Sequence, residues 1–148
     1  MSPTKKTAVI AKASKGKGFS DAEKSAMRQR VKELQSGKED GESAQLEKIA
    51  EMRPSDRALA ERIHAIVKKA APVLTSKLWY GMPAYAKDGK IVCFFQPAQK
   101  FKTRYAELGF NDAAHLDEGD VWPVAYALQK LTAADEARIA ALLKKAIS

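Results

Sequence analysis

"LWYGMPAYAKDGKIVCFF", residues 78 to 95, decides the fold. Before it, apolar residues recur every three to four positions. From Leu78 they alternate or cluster as β-branched and aromatic residues, which is the pattern of strands rather than helices. Asp88-Gly89 sits between two such runs. Glycine accepts positive φ without a Cβ clash, so this dipeptide predicts a two-residue hairpin and an antiparallel pair, "LWYGMPAYA" (78–86) with "KIVCFFQPA" (90–98). In the second run both phases are apolar, with Ile91, Cys93 and Phe95 on one side and Val92 and Phe94 on the other. Such a strand belongs at the centre of a sheet covered on both faces. Helices account for one covering; the N-terminal helices, a partner subunit or a ligand pocket account for the other.

Two further segments, "KFKTRYAEL" (100–108) and "VWPVAYAL" (121–128), read as strands. Pro83, Pro97 and Pro123 each fall inside a strand-like segment, and proline removes a ladder donor. A sheet interrupted in this way is expected to bend and form a concave face. The Met82-Pro83 bond is open to either isomer. Alternation in the last segment puts Trp122, Val124, Tyr126 and Leu128 on one side, opposite Val121, Pro123, Ala125 and Ala127. That small-residue side allows a closely packed helix, the preferred reading, or a groove.

Working backwards, Leu59, Ile63, Ile66, Val67 and Ala70 form one apolar stripe over about 56–71, closed by Pro72. His64 borders this stripe and is expected to make one hydrogen bond. Residues 43 to 52 read as a shorter helix with Leu46, Ile49 and Ala50 inward. "SDAE" at 20 to 23 is a capping box, followed by Met27, Val31 and Leu34 on a narrow stripe that ends at Gly37. Forwards, Thr132 caps a last helix whose Ile139, Leu142, Leu143 and Ala146 share a face. Helices, then strands, then one helix argue for an α+β fold, a curved antiparallel sheet packed against helices, and against alternating βαβ units.

A chain of 148 residues suits one core. The formal charge is +8, but five lysines, Lys5, Lys6, Lys12, Lys15 and Lys17, precede the first acid. Residues 1–18 therefore read as a disordered basic arm able to contact polyanions without sequence preference. Residues 19–42 follow as a helix with its connector, and 43–148 as the α+β domain. The single cysteine, Cys93, lies in an apolar run, so there is no disulfide framework or Cys-x-x-Cys knuckle. No secretory core or membrane span is visible, which places the chain in the cytoplasm. No Gly-rich phosphate loop and no local nucleophile signature point to nucleotide chemistry or catalysis.

Taken together, "YGMPAY" at 80–85, the "DGK" hairpin, "CFF", "KFKTRYAELGF" and "DEGDVWP" resemble the YdhG-like family of bacterial domains, over roughly residues 46 to 147. The resemblance implies a curved antiparallel sheet with helices on it. It also implies, through one family member described as a frataxin-like iron chaperone, an iron-carrying role with an acceptor protein as partner.

Three sets of residues are candidates for binding. Exchangeable ferrous iron would need carboxylate or imidazole ligands, and Asp112, His115, Asp117, Glu118 and Asp120 fall close together with no Lys or Arg among them. The same residue types also build turns and caps. A small ligand on the concave sheet face would meet Trp79, Tyr80, Met82, Tyr85 and Trp122. Nucleic acid would meet the arm together with Lys100, Lys102 and Arg104, which alternation places on one strand face, opposite Phe101 and Tyr105. The expected function is that of a cytoplasmic binding or carrier protein rather than an enzyme.

Overall fold

The structure is a computed structural model that describes residues 20–36 and 41–148. The arm expected over 1–18, the stop expected at Gly37 and the side chains of Val31 and Leu34 lie outside the described residues. In chain order the elements are α1 (Asp21–Ser36), α2 (Gly41–Ala50), α3 (Pro54–Ala70), β1 (Thr75–Trp79), β2 (Met82–Lys87), β3 (Lys90–Gln96), the single turn α4 (Ala98–Phe101), β4 (Ala106–Phe110), β5 (Ala125–Leu128) and α5 (Ala133–Ala146). The fold is α+β. Its sheet is antiparallel, open and curved, with spatial order β1-β2-β3-β4-β5. Among the described residues, no helix is long and apolar enough to cross a membrane.

The segment expected to be one strand from Leu78 to Ala86 is instead a hairpin. Tyr80 and Gly81 have φ of 54° and 78°, and Asp88 and Gly89 have 52° and 80°. Both pairs make the turn whose two positive φ values match the twist of the flanking strands. The glycine of Gly-Met-Pro thus belongs to a turn, and Met82-Pro83 opens the next strand. Pro83 pairs with Leu78 and lies outside the β2–β3 ladder, which begins at Ala84↔Phe94, so its missing N–H interrupts no bond there. The Met82–Pro83 bond is trans.

Pro97 is the N-cap of α4, and Pro123 precedes β5, so neither stands inside a strand. What bends the sheet locally is a bulge. The β2–β3 register shifts between Tyr85 and Ala86, putting Cys93 opposite Tyr85 but Ile91 opposite Ala86. Strict alternation fails here as a result. Val92 joins Cys93 and Phe95 in the core, whereas Ile91 and Phe94 are half-buried.

Paired residues share a face, so Tyr85, Cys93 and Phe110 line one side with Phe95, Leu108, Tyr126 and Leu128. Onto this side pack Leu59, Ile63 and Val67 of α3 and Ile139, Leu143 and Ala146 of α5, each where the apolar stripe predicts it. Burying a side chain of this kind stabilises by about 1.5–3 kcal/mol. Arg62 joins the two helices, donating from Nε and Nη2 to the two carboxylate oxygens of Glu136 at 2.9 and 2.6 Å. Both capping motifs form. Ser20 and Glu23 exchange bonds of 2.8 and 3.1 Å, and Thr132 and Asp135 do the same at 2.9 and 3.1 Å.

The opposite face carries Trp79, Met82, Ala84, Phe94 and Gly109. Helices α1 and α2 pack along β1 at its end of the sheet. Gly41 comes so close to the Ser76 carbonyl that a Cβ there would collide with it. The β1 edge is therefore covered by a helix. At the far end, Ala125 and Ala127 are exposed, and no described helix packs on them as had been expected.

Candidate functional site

At the end of the sheet where the β1–β2 turn lies beside the exit of β3, two features meet. The first is aromatic. The turn brings Tyr80 edge-on to Trp79, with ring centroids 5.2 Å apart, and Trp79 leans on Phe94 at 5.3 Å. From α1, the Arg30 guanidinium stands 5.7 Å over the Tyr80 ring, and Gln29 lies against Gly81. Lys100 of α4 reaches the same glycine with its ammonium group.

The second feature is a cleft of about 280 Å³ between α1, the α2–α3 elbow and α4. Ser25, Lys48, Arg53, Gln99 and Lys100 line it, so Lys100 is common to the cleft and the aromatic corner. Two acids also line it. Glu51 pairs with Lys48 at 3.5 Å. Asp56 is buried, and its two oxygens accept the backbone N–H groups of Ala98 and Gln99 at 3.1 and 2.9 Å. A carboxylate from the first turn of α3 thus caps α4, whose own N-cap is a proline with no side chain to offer. The lining therefore holds three cations, Lys48, Arg53 and Lys100, against two acids, of which Glu51 is paired with Lys48 and Asp56 is turned to the α4 amides.

A second polar constellation ties α2, α3 and β2 together. His64 Nε2 lies 2.8 Å from Glu42 Oε2, and its Nδ1 lies 2.9 Å from Tyr85 Oη. A carboxylate only accepts, so Nε2 carries the proton; in the neutral ring Nδ1 then accepts from the phenol. His64 makes two bonds where the sequence led to an expectation of one. Burial drives the Tyr85 phenol upward and pushes the Cys93 thiol up to about 12, so both stay protonated at neutral pH. Both are buried, and the two bonds of His64 link Glu42 of α2 to Tyr85 of β2.

Glu42 is held below the ordinary carboxylate range, first by the His64 bond and then by Lys68, whose Nζ lies 3.3 Å away. A lowered folded-state pKa contributes stability above the unfolded value, and this is lost as pH falls through the folded one. The urea midpoint of Glu42→Gln is therefore expected to lie slightly below that of the natural chain at neutral pH. The gap should close on acidification below about pH 4.

The structure separates the sequence-derived ligand set. Trp79, Tyr80 and Met82 gather at the hairpin corner, Tyr85 points into the core on the opposite face, and Trp122 packs at the core margin. Lys100, Lys102 and Arg104 share no strand face, because their segment is a helical turn, a left-handed Lys102 at φ 57° and a bend. In the acidic segment, Asp112, Asp117, Glu118 and Asp120 are exposed, and His115 is bound to the carbonyl of Ser148 through Nδ1 at 2.7 Å. Among the described residues, no group of three His, Cys, Asp or Glu side chains could hold a metal ion. Sequence reading missed Arg30, which the tertiary fold sets over Tyr80, and Lys48, Arg53 and Asp56, near neighbours along the chain that the fold brings against Ser25 and Lys100. Comparison with protein-family models, with curated proteins and with solved structures finds no match to the chain.

Proposed function

We propose that the chain is a binding protein for single-stranded nucleic acid, taken at the hairpin corner and the adjoining cleft. What supports this is the contiguity of Trp79, Tyr80 and Phe94 with Arg30, Lys100, Lys48 and Arg53 at one end of the sheet. Single-strand binders stack bases on aromatic faces beside cations that track the phosphates. Tyr80 is the exposed ring of the three. The cleft of about 280 Å³ has room for a phosphate and its sugar. The lysines of the arm add attraction without sequence preference, because residue 18 lies just before α1, whose Ser25 lines the cleft. An iron-carrying role follows from the family resemblance alone and finds no ligand set among the described residues.

The test is titration of the full chain with oligothymidylate, followed by tryptophan fluorescence over a salt series. Arg53→Glu with Lys100→Glu should weaken binding and reduce the slope of log K against log salt by about 1.4, the value for two phosphate contacts. Tyr80→Ala should cost about tenfold in affinity at constant slope. If changing the five arm lysines to glutamine abolishes binding while the cleft and Tyr80 variants leave it unaltered, the folded domain is not the binding module.

A further inference from the structure

Three rings meet at the hairpin corner, but the sheet itself takes up two of them. The Phe94 ring lies directly on the Gly109 backbone, so closely that a Cβ there would strike it, and Trp79 is held between Phe94 and Tyr80. Of the three only Tyr80 is exposed, and the Arg30 guanidinium already stands over its ring. The corner therefore offers one ring face, which takes one stacked base. Helix α1 measures the distance from there to the cleft. Gln29 lies against Gly81 of the turn and Ser25 lines the cleft, one helical turn apart on the same face of α1 and so separated by about 6 Å along its axis. A stacked duplex strand advances about 3.4 Å per nucleotide, and a strand with its bases splayed out covers roughly twice that, so the two places stand one nucleotide step apart. Lys100 stands at the junction, against Gly81 on one side and in the cleft wall on the other.

We infer that the folded domain takes a two-nucleotide unit, with one base stacked on Tyr80 and the next sugar and phosphate in the cleft, rather than a long tract of strand. This rests on the reading of the corner and cleft as a nucleic-acid site. In such a unit the phosphate linking the two nucleotides falls at Lys100, and the second phosphate meets Lys48 and Arg53, with the Ser25 hydroxyl as a further donor. Proteins that track a single strand set several rings along one groove, with sites of about 4–16 nucleotides in each OB-fold. Here one platform adjoins one pocket. The ligand class is thus the short oligonucleotide, and a longer strand adds registers but no new contact with the folded domain.

The measurement is the length dependence of affinity for the full chain with its five arm lysines changed to glutamine, which removes the arm's share of binding. Thymidine 5′-phosphate, the 5′-phosphorylated thymidine dinucleotide and octathymidylate are titrated at one salt concentration and followed by tryptophan fluorescence. The dinucleotide should bind at least about tenfold tighter than the mononucleotide. Arg53 is exposed and its side chain makes no capping bond, so Arg53→Glu should keep the fold and erase that difference. The octamer should gain less than about tenfold over the dinucleotide, since it adds registers alone. A steeper climb with length, or a dinucleotide no tighter than the mononucleotide, overturns the two-nucleotide unit while leaving the corner as a nucleic-acid site. An octamer that fails to bind this chain at all overturns the site reading, and the unit with it.

Discussion

Asp56→Ala is expected to lower the unfolding free energy by about 2–4 kcal/mol, a large effect for one small side chain. The carboxylate is 4% exposed and accepts two backbone N–H groups at 3.1 and 2.9 Å from a segment more than forty positions later. Removing it leaves both donors facing the cleft wall, and the cost is the loss of their acceptor rather than of a weak surface contact. Asp56 also stands in the first turn of α3, where the helix dipole favours negative charge. Asp56→Asn keeps one acceptor oxygen and should fall between alanine and the natural chain. Hydrogen exchange separates local from global loss. The Ala98 and Gln99 amides should exchange faster in Asp56→Ala even under conditions where the core amides remain protected. Because α4 carries Lys100, the same variant should weaken oligothymidylate binding.

The second large effect is at Tyr85. Its ring is fully buried between α3 and the sheet, and Tyr85→Ala should cost about 3–5 kcal/mol by leaving a cavity that the packed core cannot close. A typical domain holds only about 5–15 kcal/mol in total, so this variant gives up a large share of the stability. Tyr85→Phe separates the two contributions. It keeps the ring and removes only the hydroxyl that donates to His64 at 2.9 Å, for about 0.5–1.5 kcal/mol. Urea denaturation of both variants, followed by far-ultraviolet circular dichroism, measures the difference. Equal losses would mean that the hydrogen bond, not the packing, dominates at this position.

Where structure is written locally, the sequence carries it. The α3 stripe, the Asp88-Gly89 turn and the Ser20 and Thr132 caps all rest on neighbours within a few positions, and each forms as read. The reading failed where tertiary packing overrode a local rule. Tyr80 adopts φ of 54°, a conformation that β-turn rules reserve mainly for Gly, Asn and Asp, so one hairpin passed for one strand. The bulge after Tyr85 moved Val92 to the core face, which no alternation count foresees. Pro97 seemed to punctuate a strand because the element it caps is a single turn, too short for a period to register. The cleft was least legible. Ser25 and Lys100 come from distant parts of the chain to join Lys48, Arg53 and Asp56 at the α2–α3 elbow, and the five share no motif. The acidic segment, by contrast, was conspicuous in the sequence, yet its carboxylates lie dispersed over the surface.

The strand order carries a kinetic consequence. Each strand's neighbour in space is also its neighbour along the chain, and two of the four joints are two-residue turns. The first three strands can therefore zip up hairpin by hairpin from Thr75 onward, with little loop-closure entropy lost at either turn. Low contact order of this kind goes with fast folding. The docking of α5 back across the sheet onto α3 is the opposite case, a contact between elements more than seventy positions apart, as the Arg62–Glu136 pair shows, and it carries a larger loop-closure cost.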